Sequence, residues 1–173
     1  MHDLASLNSL NSLPVAEAEK ELLQCCGSTR WARQMADARP FEALEDLLAS
    51  ADKIWWSLDR NDWLEAFRSH PKIGEKKAAD PVSTQARQWS GQEQAGVAAA
   101  SQETVNSLAT LNRAYEEKFG FIFIICATGK TSAEMMSSLR ERLEHEPVDE
   151  LPIAAAEQSK ITALRLNKLL TSG

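Results

Sequence analysis

The chain has 173 residues, 43% of them hydrophobic, and a formal net charge of −6 at pH 7. That length buries one core without disulfide or metal staples. With a pI near 5.2 and no Lys/Arg cluster that outweighs its acidic neighbours, the composition argues against a nucleic-acid partner and for a small molecule or another protein.

In chain order, Leu4, Leu7 and Leu10 repeat at helical spacing, and Pro14 sits where a second helix begins. That helix is predicted over 15–26, stopped by Gly27, with Ser28 capping the next over 29–38. An amphipathic helix follows over 41–58, with Leu44, Leu47, Leu48, Ile54, Trp55 and Leu58 near one face. Asn61 or Asp59 caps a short helix running through Phe67 and Arg68 into His70-Pro71. Residues 71–89 read as a loop with one helical turn, and helix resumes at Ser90. Ser101 caps a segment carrying Val105, Leu108, Leu111, Ala114 and Tyr115, which Gly120 ends. Residues 121–127 are the one β-like run, and without a partner run they read as a buried extended segment. Ser132 opens a helix to about His145, and a last one over 151–170 places Ile161, Leu164, Leu166 and Leu169 at core spacing. The predicted fold is all-α, a single-domain helical bundle over 1–173.

The start of the chain shows neither the basic nor the apolar region of a signal peptide, and the 121–127 run is too short to span a bilayer. Its end carries no peroxisomal tripeptide. Cys25, Cys26 and Cys126 make an odd set without metal spacing, which suits a reducing compartment. The expectation is a cytoplasmic protein that contacts no membrane.

Three side chains carry the candidate chemistry, each with a structural reading beside the functional one. His70 stands at a helix end before a helix-stopping proline. There it either hydrogen-bonds the last helix carbonyls or exchanges protons as a general acid/base. Its companions His2 and His145 lie at no metal spacing, so no metal site is expected. Ser90-x-x-Glu93 reads as a capping box, and the helix start it marks could also offer backbone N–H groups to an anionic substrate. Arg165, flanked by Leu164 and Leu166, is either a snorkelling surface cation or a fixed fork for a carboxylate or imide oxygen. The five tryptophans read as core or rim, and Gly129-Lys130-Thr131 lacks the upstream glycine of a phosphate loop.

Six phrases in order resemble one family. They are Leu10-Asn11-Ser12-Leu13-Pro14, Ala38-Arg39-Pro40-Phe41, Ser69-His70-Pro71-Lys72-Ile73-Gly74-Glu75, Ser90-Gly91-Gln92-Glu93-Gln94, Lys118 to Ile124, and Leu164-Arg165-Leu166. Together they are similar to the 2-oxo-4-hydroxy-4-carboxy-5-ureidoimidazoline (OHCU) decarboxylases, the histidine phrase being the most specific. Ile122 departs from the proline many members carry. The resemblance implies an all-helical, cofactor-free homodimer that converts OHCU to (S)-allantoin and carbon dioxide during urate breakdown. It assigns His70 as catalytic acid/base with Glu93 and Arg165 as polar partners. Pro71, Ser90 and Gln94 would line the substrate, with backbone somewhere within Phe123, Ile124, Ile125, Cys126 and Ala127 binding the ring. The alternatives are a non-catalytic helical interaction module and another cofactor-free lyase or isomerase of purine breakdown.

Overall fold

The computed structural model describes residues 2–75, 84–98 and 100–172, with side chains for 7–75, 84–98 and 100–171. Among the described residues it is all-α, with helices α1 (His2–Ser12), α2 (Val15–Leu23), α3 (Thr29–Asp37), α4 (Leu44–Ser57), α5 (Arg60–Arg68), α6 (Thr84–Glu93), α7 (Ala95–Ala98), α8 (Gln102–Phe119), α9 (Ser132–Leu143) and α10 (Pro147–Ser172). Two compact units emerge, Met1–Ala66 with Ser159–Gly173, and Phe67–Gln158.

In the first unit α2 packs on α3 and α3 on α4. Ser28 caps α3 as predicted, its hydroxyl accepting from Trp31 N–H. The Glu65 carboxylate reinforces that end, accepting from Thr29 N–H at 3.0 Å and from its hydroxyl at 2.7 Å, where the helix dipole favours negative charge. Trp31 is fully buried and donates from its indole to Ala51 C=O at 3.1 Å. Two of the family-like phrases lock onto each other here. The Arg39 guanidinium donates to Leu10 C=O and Leu13 C=O at 2.7 and 2.8 Å, closing the end of α1. The Asn11 amide exchanges both hydrogen bonds with the Phe41 peptide, each at 2.9 Å. That exchange explains why α4 begins at Leu44 rather than at Phe41: residue 41 is already bound to α1, and Glu42 N–H is taken by the Asp46 carboxylate. The opening and Arg-Pro-Phe phrases therefore hold structure.

The second unit centres on Tyr115. Its ring lies 4.5 Å from Phe119, 5.8 Å from Phe121 and 5.4 Å from Phe123, centroid to centroid, within the range in which aromatic pairs add about 0.5–1.5 kcal/mol each. Ser101 caps α8 and Gly120 ends it at φ +81, both as predicted. The buried stripe of α8 runs Leu108, Asn112, Tyr115, Phe119, whereas Leu111 is half-buried and Ala114 exposed. A polar residue, Asn112, thus occupies a core position that apolar spacing gave to its neighbours. Residues 122–127 form neither helix nor strand, and Phe123 to Ala127 are all buried, in line with an unpaired buried segment. α9 starts at Ser132 as predicted, opened by a Thr131–Glu134 capping box. Gly96 seats α7 against this turn, because a Cβ there would run into Lys130 C=O.

Other expectations fail as well. Helix is already present at Thr84, so Ser90 and Glu93 lie in the second half of α6 and form no capping box at its start. The remainder of the predicted 71–89 loop, residues 76–83, lies outside the described residues. The buried positions of α6 are Ala86, Trp89, Ser90 and Glu93, a helical face half made of polar side chains and so invisible to a search for apolar periodicity. On α10, which starts at Pro147 rather than Leu151, Ile161 and Leu166 are buried as predicted, but Leu164 is 37% exposed.

Candidate active site

His70 follows the end of α5, and its backbone N–H donates to Phe67 C=O at 3.1 Å, closing the last turn before Pro71 stops the helix. Its side chain is 7% exposed, and Nε2 lies 2.7 Å from Oε1 of Gln158 on α10, a fully buried residue. An amide oxygen only accepts, so in this bond Nε2 is the donor.

The loop after His70 is pinned from two sides. Asn112 donates from Nδ2 to Ile73 C=O at 3.0 Å, and Lys72 pairs with Glu116 at 2.9 Å, a bond that holds the Lys72 ammonium above its ordinary pKa. Gly74, at φ +92, donates its N–H to Oε1 of Gln94 at 3.1 Å. That bond fixes the Gln94 amide with its NH₂ as the remaining donor end. Pro71, Gly74, Ser90 and Gln94 line one cavity of about 460 Å³, together with Arg87 and Val97 among others. All three predicted substrate-lining residues are therefore brought together. His70 and Glu93, each next in sequence to one of them, are buried at 7% and 8% exposure and are not in that lining.

The 123–127 segment is held by groups the sequence did not single out. Arg142, 6% exposed, donates to Ile124 C=O at 2.6 Å and stacks over the Phe123 ring at 4.5 Å. Its Nε pairs at 2.6 Å with the fully buried Glu150, which also accepts from the Tyr115 hydroxyl at 2.6 Å and lies 2.9 Å from His145 Nδ1. Burial pushes the Tyr115 hydroxyl well up, so it stays a neutral donor to that carboxylate. Cys126 N–H donates to Glu157 at 3.1 Å, and Lys130 donates from Nζ to Cys126 C=O at 3.0 Å. The Ile125 N–H and C=O are taken by no described residue, although Ile125 is only 5% exposed. Buried backbone groups of that kind are rare unless a water or ligand meets them.

Burial raises the Cys126 thiol above its ordinary pKa. Burial also pushes Cys26 up to about 12. Both are inert as nucleophiles near neutral pH. Arg165 belongs to the first unit and is 3% exposed, so the snorkelling reading is wrong. It donates to Gln24 C=O at 3.2 Å and lowers the Cys26 pKa slightly against the effect of burial. No cluster of three or more metal-ligating side chains occurs among the described residues, and no described helix is long and apolar enough to cross a membrane.

Gln158, Glu157 and Arg142 were missed because each looks ordinary alone. For Gln158 the available signal was the stripe on α10 of Ala154, Ala155, Gln158, Ile161, Thr162, Arg165 and Leu166, in which three positions are polar. Polar groups buried on an apolar stripe are bonded to something, and that something is worth naming.

Residues 11–167 match the family model for OHCU decarboxylase. The chain belongs to the OHCU decarboxylase family. A crystal structure of an OHCU decarboxylase in the presence of (S)-allantoin superposes with a TM-score of 0.76 at 41% identity, covering 89% of this chain and 99% of that one. The uric acid degradation bifunctional protein TTL of Arabidopsis thaliana is 44% identical over 88% of this chain and 47% of its own length. The 2-oxo-4-hydroxy-4-carboxy-5-ureidoimidazoline decarboxylase of Amia calva is 30% identical over 97% of this chain and 94% of its own. The chain thus spans about half of the plant bifunctional relative, and about a third of the Bacillus subtilis one, at 33%.

Proposed function

We propose that residues 1–173 act as one OHCU decarboxylase domain that converts OHCU to (S)-allantoin and carbon dioxide in urate catabolism, working as a cytoplasmic homodimer. The observation that carries this reading is the family match over residues 11–167. It is supported by the cavity at Pro71, Ser90 and Gln94 and by the unclaimed backbone of Ile125.

The carbon that loses carbon dioxide also bears the hydroxyl, and the neighbouring C=N takes up the electron pair of the breaking bond. The ring is its own electron sink, and no added cofactor is invoked. His70 accepts the hydroxyl proton and later returns a proton to the ureido-bearing carbon, where the face of delivery sets the product's hand. Gln94 NH₂ donates to a ring or ureido carbonyl, and Ile125 N–H and C=O read one ring edge. Glu93 is assigned to hold the imidazole or to bind the ureido N–H groups. Arg165 keeps the role the family pattern gives it, docking a carbonyl or carboxylate oxygen.

Freshly generated OHCU mixed with the protein should disappear faster than in buffer and yield (S)-allantoin. Racemic allantoin formed at the spontaneous rate would instead favour a non-catalytic helical module, and turnover of another purine-breakdown product alone would favour a different lyase or isomerase.

A further inference from the structure

The proposed reaction uses one imidazole both to take a proton and to give one, so the nitrogen that faces the substrate matters as much as the presence of the ring. We propose that Gln158 is a positioning residue for this chemistry, its side-chain oxygen accepting from His70 Nε2 and so fixing the ring's tautomer and orientation; the inference rests on the decarboxylase reading above. The bond is 2.7 Å long between a fully buried amide and a ring that is 7% exposed. Water does not readily replace a partner there, and an unmet donor at such a depth is costly. The partner is also neutral. A carboxylate in that place would stabilise the imidazolium and hinder return of the proton, whereas an amide fixes the tautomer without favouring either charge state so strongly.

The neighbouring residue strengthens the case. Glu157 accepts from Cys126 N–H at 3.1 Å, so consecutive residues of one helix index the acid/base on one side and the ring-reading segment on the other. A rigid helix that sets both distances is a precise way to place a reacting ring.

Nitrogen-15 NMR of the full chain, with the His70 ring signals assigned by their loss in His70→Asn, tests this independently of turnover. The expected wild-type result is a neutral ring protonated at Nε2, with that proton exchanging slowly with water. Gln158→Met, similar in volume but without the acceptor oxygen, should exchange this proton rapidly and lose about 10–100-fold in kcat with KM changed little. Gln158→Glu keeps an acceptor oxygen and should restore the slow exchange. A wild-type ring protonated at Nδ1, or Gln158→Met with wild-type kcat and unaltered exchange, overturns the proposal. If the protein does not turn over OHCU at all, the decarboxylase reading fails first, and the tautomer result is read separately.

Discussion

His70→Asn is expected to lower kcat/KM on OHCU by about 10²–10⁴-fold, the range a positioned general acid/base contributes. Whatever allantoin then forms should lose its optical purity, because uncatalysed protonation reaches both faces of the ring. The structure makes this a test of chemistry more than of folding. The last turn of α5 is closed by the backbone N–H of residue 70, which asparagine also supplies. If imidazole served only to tie the helix end to its surroundings, the variant would be less stable yet equally active per folded molecule. A variant with wild-type rate and enantiopure (S)-allantoin removes His70 from the mechanism.

Arg142→Ala should be the most damaging substitution for stability in the second unit. It leaves the Glu150 carboxylate, 0% exposed, without its guanidinium, and it strips Ile124 C=O of its donor. Removing one member of a buried ion pair costs about 3–5 kcal/mol. For a chain of this length that corresponds to a fall in Tm on the order of 10 °C. Because the same guanidinium fixes the Ile124 peptide, activity of the remaining folded protein should also fall. Urea unfolding followed by tryptophan fluorescence gives the first quantity, and a loss below about 1 kcal/mol would show that Tyr115 and His145 satisfy Glu150 alone. Glu150→Gln, which keeps the shape and an acceptor oxygen, removes the carboxylate charge that pairs with the buried Arg142 guanidinium and should be destabilising in its own right.

The helices and several of their ends were legible because local chemistry settles them. Ser28 and Ser101 cap where a hydroxyl precedes a helical run, and Gly120 ends α8 where a positive φ is needed. The misreading at Ser90–Glu93 has one cause. Buried polar residues on the inner face of α6 break the apolar period, and a Ser-x-x-Glu spacing inside a helix is indistinguishable from one at its start. The same substitution of polar for apolar hid Asn112 on α8 and Gln158 on α10. His70 itself was legible from its proline and its phrase. Its partner, 88 residues away, was not, since no local pattern encodes a tertiary hydrogen bond. The Asn11–Phe41 and Arg39–Leu10 locks show the converse: phrases that helped mark the family are explained by structure without any catalytic role.

A crystal structure of this protein soaked with (S)-allantoin tests the central claim most directly. The predicted result is ligand density at the cavity of Pro71, Ser90 and Gln94. One ring edge should lie on Ile125 N–H and C=O, the Gln94 NH₂ within hydrogen-bond reach of a carbonyl, and the His70 ring toward the ureido-bearing carbon. Allantoin bound elsewhere, with His70 out of reach of any ligand atom and Ile125 still unmet, would contradict the account.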